Sequence, residues 1–263
     1  TSFAERERLF KRPRSSWADY KAELISAGGG VYQRSAKTIP VNDEVRRVLG
    51  LGEKVTALTP NEMIQAILCA PVDLMWNGGI GTWVKSSRET HTQVGDRGND
   101  GVRVDADKVR VRCVGEGGNL GWTQAARVEY ALGGGLINTD SVDNSAGVHT
   151  SDYEVNIKIL LDGEVAAGRL DRDGRNQLLH QMTDEVAGLV LEQNLQQNRT
   201  LANSLYDASA NVGVHEELMS VMESRGQLNR GWDGLPATNQ LMARAQQGQG
   251  LVGADLCVLL STV

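Results

Sequence analysis

At 263 residues the chain can hold one large domain or two small ones. A hydrophobic fraction of 40% excludes wholesale disorder, and an aromatic fraction of only 5% leaves core packing to aliphatic side chains. With 27 basic against 33 acidic residues and a net charge of −6, no basic stripe is dense enough to track phosphates, which excludes a general nucleic-acid binder.

In chain order, Phe3 to Phe10 reads as a short amphipathic helix stopped by Pro13, with the mixed charges of Arg6 to Arg14 as its solvated face. Ser15 or Ser16 caps a second helix through Trp17, Tyr20 and Leu24, and Gly28-Gly29-Gly30 breaks it. Val41 to Leu51 forms another short helix ending at Gly50 or Gly52. Thr59-Pro60-Asn61-Glu62 is a capping box with proline at the first helical position, opening a helix through Met63, Ile64, Ile67 and Leu68. After Pro71, Val72 to Trp76 is a buried-strand candidate that ends in Asn77-Gly78-Gly79-Ile80-Gly81-Thr82.

The polar stretch Lys85 to Asp107 reads as an excursion over the surface. Val109 to Val114 alternates with a period of two and runs into Gly115-Glu116-Gly117-Gly118-Asn119-Leu120-Gly121. Thr123 to Leu132 is helical, with Gln124, Arg127 and Glu129 on a polar side, and Gly133-Gly134-Gly135 ends it. Leu136 to Asp140 is the next strand end, and Asn144-Ser145-Ala146-Gly147-Val148-His149-Thr150-Ser151 follows. Beyond it come helices at Tyr153 to Leu161, Arg175 to Gln193, Leu201 to Ala210, Glu216 to Arg225, Asn239 to Gln246 and Ala254 to Leu260. Asp173 is the expected cap of the second of these, whose stripe Leu178, Leu179, Met182, Val186, Leu189 and Val190 reads as core packing. The expected fold class is therefore α/β: a partial Rossmann-like, doubly wound sheet over residues 1–150, then an α-helical region over 151–263.

Three isolated cysteines, Cys69, Cys113 and Cys257, lack metal-ligand spacing and point to buried thiols in a reducing, cytoplasmic setting. No apolar run reaches membrane-spanning length, and Thr1 to Arg6 is not a signal peptide. The start without methionine, inside a charged helical pattern, suits a piece of something longer. His91, His149, His180 and His215 form neither HxxxH nor HExxH, so no metal site is expected. His149 could line a site, though a structural role is the default. Asp140 and Asp143 fit a general base or a turn cap, turn chemistry being favoured.

The three strand ends carry the chemistry. A strand ending in glycine brings backbone close to a ligand, and asparagine offers both a donor and an acceptor to an amide or a ribose hydroxyl. Ligands of open α/β sheets sit outside the carboxyl ends of the strands. Asn77, Asn119 and Asn144 mark three such ends in one chain. None is a GxGxxG turn followed by an acidic residue, so the residues support a nucleotide-type site and leave its reaction open.

At these residues, and at Ser15-Ser16-Trp17-Ala18-Asp19-Tyr20, the sequence resembles the large NAD-specific glutamate dehydrogenases, multidomain bacterial enzymes far longer than this chain. The match looks continuous, highly specific through residue 161 and thinner beyond. It implies that Gly117, Gly118 and Asn119 contact NAD, that Asn144 lies near the nicotinamide, and that Asn77 and Gly78 pass beneath the cofactor ribose. It places Val148 and Ser151 in the pocket for L-glutamate or 2-oxoglutarate, with Ser151 on the side-chain carboxylate. The implied reaction is oxidative deamination of glutamate, in an enzyme expected to be a homo-oligomer, without nucleic acid or membrane as partner. No catalytic residue is assigned here, because the family's catalytic lysine and aspartate, its GxGxxG turn and its acidic ribose ligand would all precede Thr1. Gly118 stands where alanine is commoner, Gly121-Trp122 replaces a proline-bearing turn, Ser145-Ala146 replaces Ala-Gly, and His149-Thr150 departs from the expected pair. Two other readings stay open: a non-catalytic assembly or regulatory module, and an amino-acid dehydrogenase with another substrate.

Overall fold

Local capping rules account for the boundaries of most of the helices. The computed structural model describes residues 1–262. Helix α1 (Ser2–Lys11) is amphipathic, but its inner face is not the aromatic one. Glu5 and Leu9 are buried while Phe3 and Phe10 are exposed, because Glu5 has work to do. Its carboxylate accepts from Arg8 (2.6 and 2.8 Å) and from the Lys21 amide (2.9 Å). Ser16 does cap the next turn, with Asp19 completing the capping box. The expected helix through Leu24 is instead two separate 3₁₀ turns, Trp17–Asp19 and Ala22–Leu24.

The Arg8 hydrogen bonds hold the Glu5 carboxyl far below the usual carboxylate range, at about 2. A depressed carboxyl pKa stabilises the fold above its unfolded value of about 4.3 and loses that contribution as pH falls through the folded value. Docking of α1 on the Lys21 amide is thus expected to survive acidification to about pH 3, read by amide exchange at Lys21. Loss of protection near pH 4 to 5 would refute the pairing.

Strand β1 (Ile39–Pro40) pairs antiparallel with β2 (Ala57–Leu58) around α2 (Asp43–Leu49), which Asn42 caps and Gly50 ends at φ +61°. Helix α3 (Pro60–Leu68) opens on the Thr59–Glu62 capping box, as its sequence dictates. It hands over to β3 (Leu74–Asn77). The stretch read as a surface excursion is partly core. Within it, β4 (Val84–Lys85), one turn of helix α4 (His91–Val94) and β5 (Val104–Asp105) fold in, and β4 and β5 pair in parallel. Lys85, Ser86, Val102, Arg103 and Ala106 are buried there. The Arg103 guanidinium lets the backbone be buried, donating to the Thr82 carbonyl (2.8 Å), the Asp96 carbonyl (2.5 Å) and Asp100 (2.5 Å).

Strand β6 (Cys113–Glu116) starts four residues later than the alternation of Val109 to Val114 suggests, so Gly115 and Glu116 lie inside the strand. Helix α5 (Gln124–Leu132), capped by Thr123, leads to β7 (Leu136–Ile137). The three strands form a parallel sheet in the order β3-β6-β7. Register places Met75, Val114 and Ile137 in one row, and Leu74, Cys113 and Leu136 in the next. Alternation sends the first row toward α5 and the second to the opposite face. Val114 and Ile137 are buried with Val84, Trp122 and Tyr130, whereas Leu74, Trp76 and Leu136 are 59%, 63% and 61% exposed.

After β7 come α6 (Asp140–Asp143), α7 (Ser145–Ala166), α8 (Arg172–Gln181), α9 (Thr183–Tyr206), α10 (Val212–Ser224), α11 (Arg230–Asp233), α12 (Thr238–Gln246) and α13 (Gly253–Thr262). Asp171, not Asp173, caps α8 by accepting from the Gly174 amide (2.7 Å). The expected stripe from Leu178 to Val190 is interrupted at Met182, where α8 ends. The break changes the facing of the two halves, so Val190 is buried and Leu178 and Leu189 are exposed. A second apolar cluster joins Val142, Leu201, Met219, Leu241 and Leu256. The thiols are free: Cys257 is buried, and Cys69 and Cys113 are half-buried. Among the described residues no helix is long and apolar enough to cross a membrane.

Candidate functional site

The sheet brings the three asparagine-bearing segments to one edge. Beyond β3, the Asn77 side chain accepts from the Gly79 amide (3.2 Å), closing a tight turn. The Asn77 carbonyl accepts from the Gly118 amide (2.9 Å), which lays the turn after β6 against the turn after β3. Asn144 then donates through Nδ2 to Asn119 Oδ1 at 2.6 Å. Residues 25 positions apart are thus in direct contact at the carboxyl end of β6.

Close approach explains the glycines. A Cβ on Gly118 would lie 2.3 Å from the Gly79 carbonyl oxygen, and one on Gly117 would lie 2.4 Å from the Trp76 ring. The glycine that stands where alanine is commoner therefore has a local cause. Their freed space is occupied by this chain's own backbone and indole. Leu120 sits at φ +53°, a conformation rare for leucine. It is pinned there by Asp140, which accepts from its amide (2.7 Å), and by Thr82, whose hydroxyl donates to its carbonyl (2.7 Å).

A buried charge cluster lies beneath these turns. Glu116 has no exposed surface and takes the Arg127 guanidinium in two bonds, 2.6 and 3.0 Å. Arg127 also reaches Asp140 (3.0 Å), and Glu116 accepts from the Trp122 amide (3.0 Å). Burial works against the Arg127 charge, yet the bonded Glu116 carboxylate holds its pKa above the ordinary value. Arg127 is accordingly not on a polar outer side of α5; it is inside. Asp143 accepts from the Glu116 amide (3.0 Å) and from Asn138 (3.0 Å). Asp140 and Asp143 thus anchor backbone and neighbouring side chains. The signal for this cluster was a lone carboxylate between two glycines in an apolar strand.

Asn144 to Ser151 are not a glycine loop. Asn144 immediately precedes α7 and Ser145 to Ser151 are its first two turns, one short helix beyond β7. Asn144, Val148 and Ser151, at i, i+4 and i+7, fall on one side of that helix. Asn144 is half-buried, while Val148 and Ser151 are exposed. His149 lies a residue off this stripe, half-buried, with an Nδ1 that has no partner. Gly78 is exposed beside Asn77, where a cavity of about 580 Å³ opens among Ile67, Leu74, Trp76 and Trp83. No group of three His, Cys, Asp or Glu side chains converges to hold a metal among the described residues.

Fold and edge together define an α/β protein with asparagine- and glycine-bearing turns at the carboxyl ends of a parallel sheet. Comparison with known proteins identifies which. Residues 1–204 match the family described as bacterial NAD-glutamate dehydrogenase, catalytic domain. The chain is 52% identical over 261 residues to an NAD-specific glutamate dehydrogenase of Pseudomonas aeruginosa. It is 49% identical to enzymes of that name from Halomonas elongata and Mycobacterium tuberculosis, over 260 and 266 residues. These matches cover 99 to 100% of this chain and 16% of each relative. The chain belongs to the bacterial NAD-glutamate dehydrogenase catalytic-domain family.

Proposed function

We propose that the chain is one part of an NAD-dependent glutamate dehydrogenase that converts L-glutamate to 2-oxoglutarate and ammonia, and that it binds cofactor and substrate. The observation that carries this reading is the Asn144–Asn119 hydrogen bond, which joins the start of α7 to the turn after β6 at the edge where α/β sheets hold ligands. Among the hydrogen bonds found, the Asn119 amide nitrogen and the Asn144 amide oxygen are uncommitted. One donor and one acceptor side by side match the carboxamide of a nicotinamide. Gly117, Gly118, Asn77 and Gly78 would flank the dinucleotide, and Asn144 would meet the nicotinamide. Val148 and Ser151, one and two turns along α7, would meet glutamate, with the Ser151 hydroxyl on its side-chain carboxylate.

Bound NAD accepts the hydride lost by glutamate. This chain's residues would orient cofactor and substrate, whose reacting atoms must approach to ~3–3.5 Å for hydride transfer. A hydroxyl bonded to a carboxylate contributes roughly 1.5–3 kcal/mol, enough to set specificity and too little to drive the chemistry. Acid–base groups belong to other parts of the parent enzyme.

The finer architecture follows the same reading. Residues 1–150 form part of a Rossmann-like domain and 151–263 belong to a helical one. Support comes from the sheet's two faces: parallel sheets are covered on both, and here Leu74, Trp76 and Leu136 leave one open. The rest of the Rossmann-like domain would cover it. A cytoplasmic homo-oligomer completes the proposal.

The test uses the full-length parent. Asn119→Ala and Asn144→Ala are expected to raise the NAD KM about tenfold, the loss of roughly one hydrogen bond to a ligand. Ser151→Ala is expected to raise the glutamate KM by a similar factor of about ten while the NAD KM stays put. Unchanged constants in all three variants would favour a non-catalytic module, and a substrate panel would expose a different amino acid.

A further inference from the structure

We propose that Asn194 and Asn198, on α9, are positioning residues that fix the spacing between the end of β6 and the first turn of α7. The inference deepens the reading just given and rests on it. Its starting point is a missing cap. Asn144 is the residue before α7 and would ordinarily bond the second or third amide of that helix. It makes no such bond, because its side chain is turned to Asn119. Helix α7 therefore needs another anchor at its start.

Asn194 supplies one. Its Nδ2 donates both hydrogens, to the Val142 carbonyl (2.8 Å) and to Ser145 Oγ (2.7 Å). Ser145 Oγ in turn donates to the Val142 carbonyl (2.7 Å), so three groups lock the joint on either side of Asn144. Val142 and Ser145 are both buried, where an unmade hydrogen bond is costly. Asn198, one turn further along α9, extends the hold to β6. Its Oδ1 accepts from Asn138 (3.1 Å), whose Nδ2 also donates to Asp143 (3.0 Å). Asp143 accepts from the Glu116 amide (3.0 Å), the last residue of β6.

Two asparagines spaced i, i+4 on one helix thus hold both segments whose contact makes the site. Asparagine is a poor interior residue for a helix, since its side chain competes for backbone groups. Here Asn194 spends its donors across the joint, while the Asn198 Nδ2 bonds the Asn194 carbonyl (2.9 Å) and leaves its Oδ1 to face Asn138. Helix α9 spans 24 residues and buries Leu201 in the second apolar cluster. The helical part is tied in this way to the distance between Asn119 and Asn144.

In the full-length parent, Asn194→Asp keeps size and removes the donors. The expected result is a rise of about tenfold in the glutamate and NAD KM values, below the ~100-fold that a 1 Å misplacement can cost. The thermal midpoint should stay within a few degrees. Ser145→Ala, which leaves the Asn194–Val142 bond, should give a smaller rise in the same constants. It serves as the second variant if Asn194→Asp does not fold. Unchanged KM values in both variants would overturn the proposal, as would kinetic losses no greater than those of Leu201→Ala at an equal drop in thermal midpoint. Asn119→Ala in the same series separates the levels. If it leaves the NAD KM unchanged, the site reading falls and this inference with it. If it raises the NAD KM while the Asn194 and Ser145 variants behave as wild type, only the positioning role falls.

Discussion

Arg127→Met in the parent enzyme is expected to cost about 3–5 kcal/mol of folding stability, the usual cost of breaking a buried ion pair. The guanidinium satisfies both oxygens of Glu116, which has no exposed surface, and also bonds Asp140. Without it, burial and the Asp140 charge act on Glu116 against the Trp122 amide alone. That burial already pushes the carboxyl pKa up, and the group would take a proton rather than stay charged. Protonation limits the loss but leaves the Asp140 contact unmade, and Asp140 holds the Leu120 turn. The double variant Glu116→Gln, Arg127→Met should recover part of the stability, because it removes the carboxyl that must otherwise be protonated on folding. Thermal unfolding of the three proteins checks this. A single variant melting with the wild type would mean that the pair contributes nothing.

Gly118→Ala is expected to raise the NAD KM by about 10- to 100-fold, the range for displacement of a positioned group by up to ~1 Å. The added Cβ would stand 2.3 Å from the Gly79 carbonyl oxygen, and both are parts of tight turns with little room to yield. One turn must move away from the other, stretching the Gly118–Asn77 hydrogen bond and carrying Asn119 with it. Gly79→Ala is the control, because a Cβ at that position of the same pair of turns meets no atom within 4 Å. Stopped-flow NAD binding to both variants should separate them by an order of magnitude, about 1.4 kcal/mol. Equal and wild-type affinities would show that the turns are freer than their packing suggests.

The legible parts of this molecule are those governed by local rules. The Thr59–Glu62 capping box, the Gly50 stop and the Thr123 cap are fixed by chemistry within four residues, and each stands where its sequence places it. The turns that hold Asn77 and Asn119 are legible for a similar reason, since glycine-rich turns follow the strands they end, whereas Asn144, also read as a strand end, stands at the start of α7. Burial of charge was not legible. Arg127, Lys85 and Arg103 look solvated in a linear pattern, whereas Glu116 and Asp105 reach the first two across elements and the Thr82 and Asp96 carbonyls draw in the third. Strand β6 was misplaced by four residues because Val109 and Val111 are buried by loop packing outside the ladder. The start of α7 was missed because glycine at 147 reads as a loop, whereas it lies against the Asn144 side chain inside the helix.

Trp76 has a consequence for how this sequence can change. Its ring fills the space above Gly115 and Gly117, each of which would bring a Cβ within 2.6 Å of it. An alanine at either glycine is blocked while the indole is present, whereas Trp76 is 63% exposed, so a smaller residue at 76 leaves no buried void while the glycines remain. The three positions are therefore epistatic: Gly115 and Gly117 accept a Cβ only once Trp76 has been replaced. A neutral route through this part of sequence space passes through Trp76 first, and the order of steps is set by sterics alone.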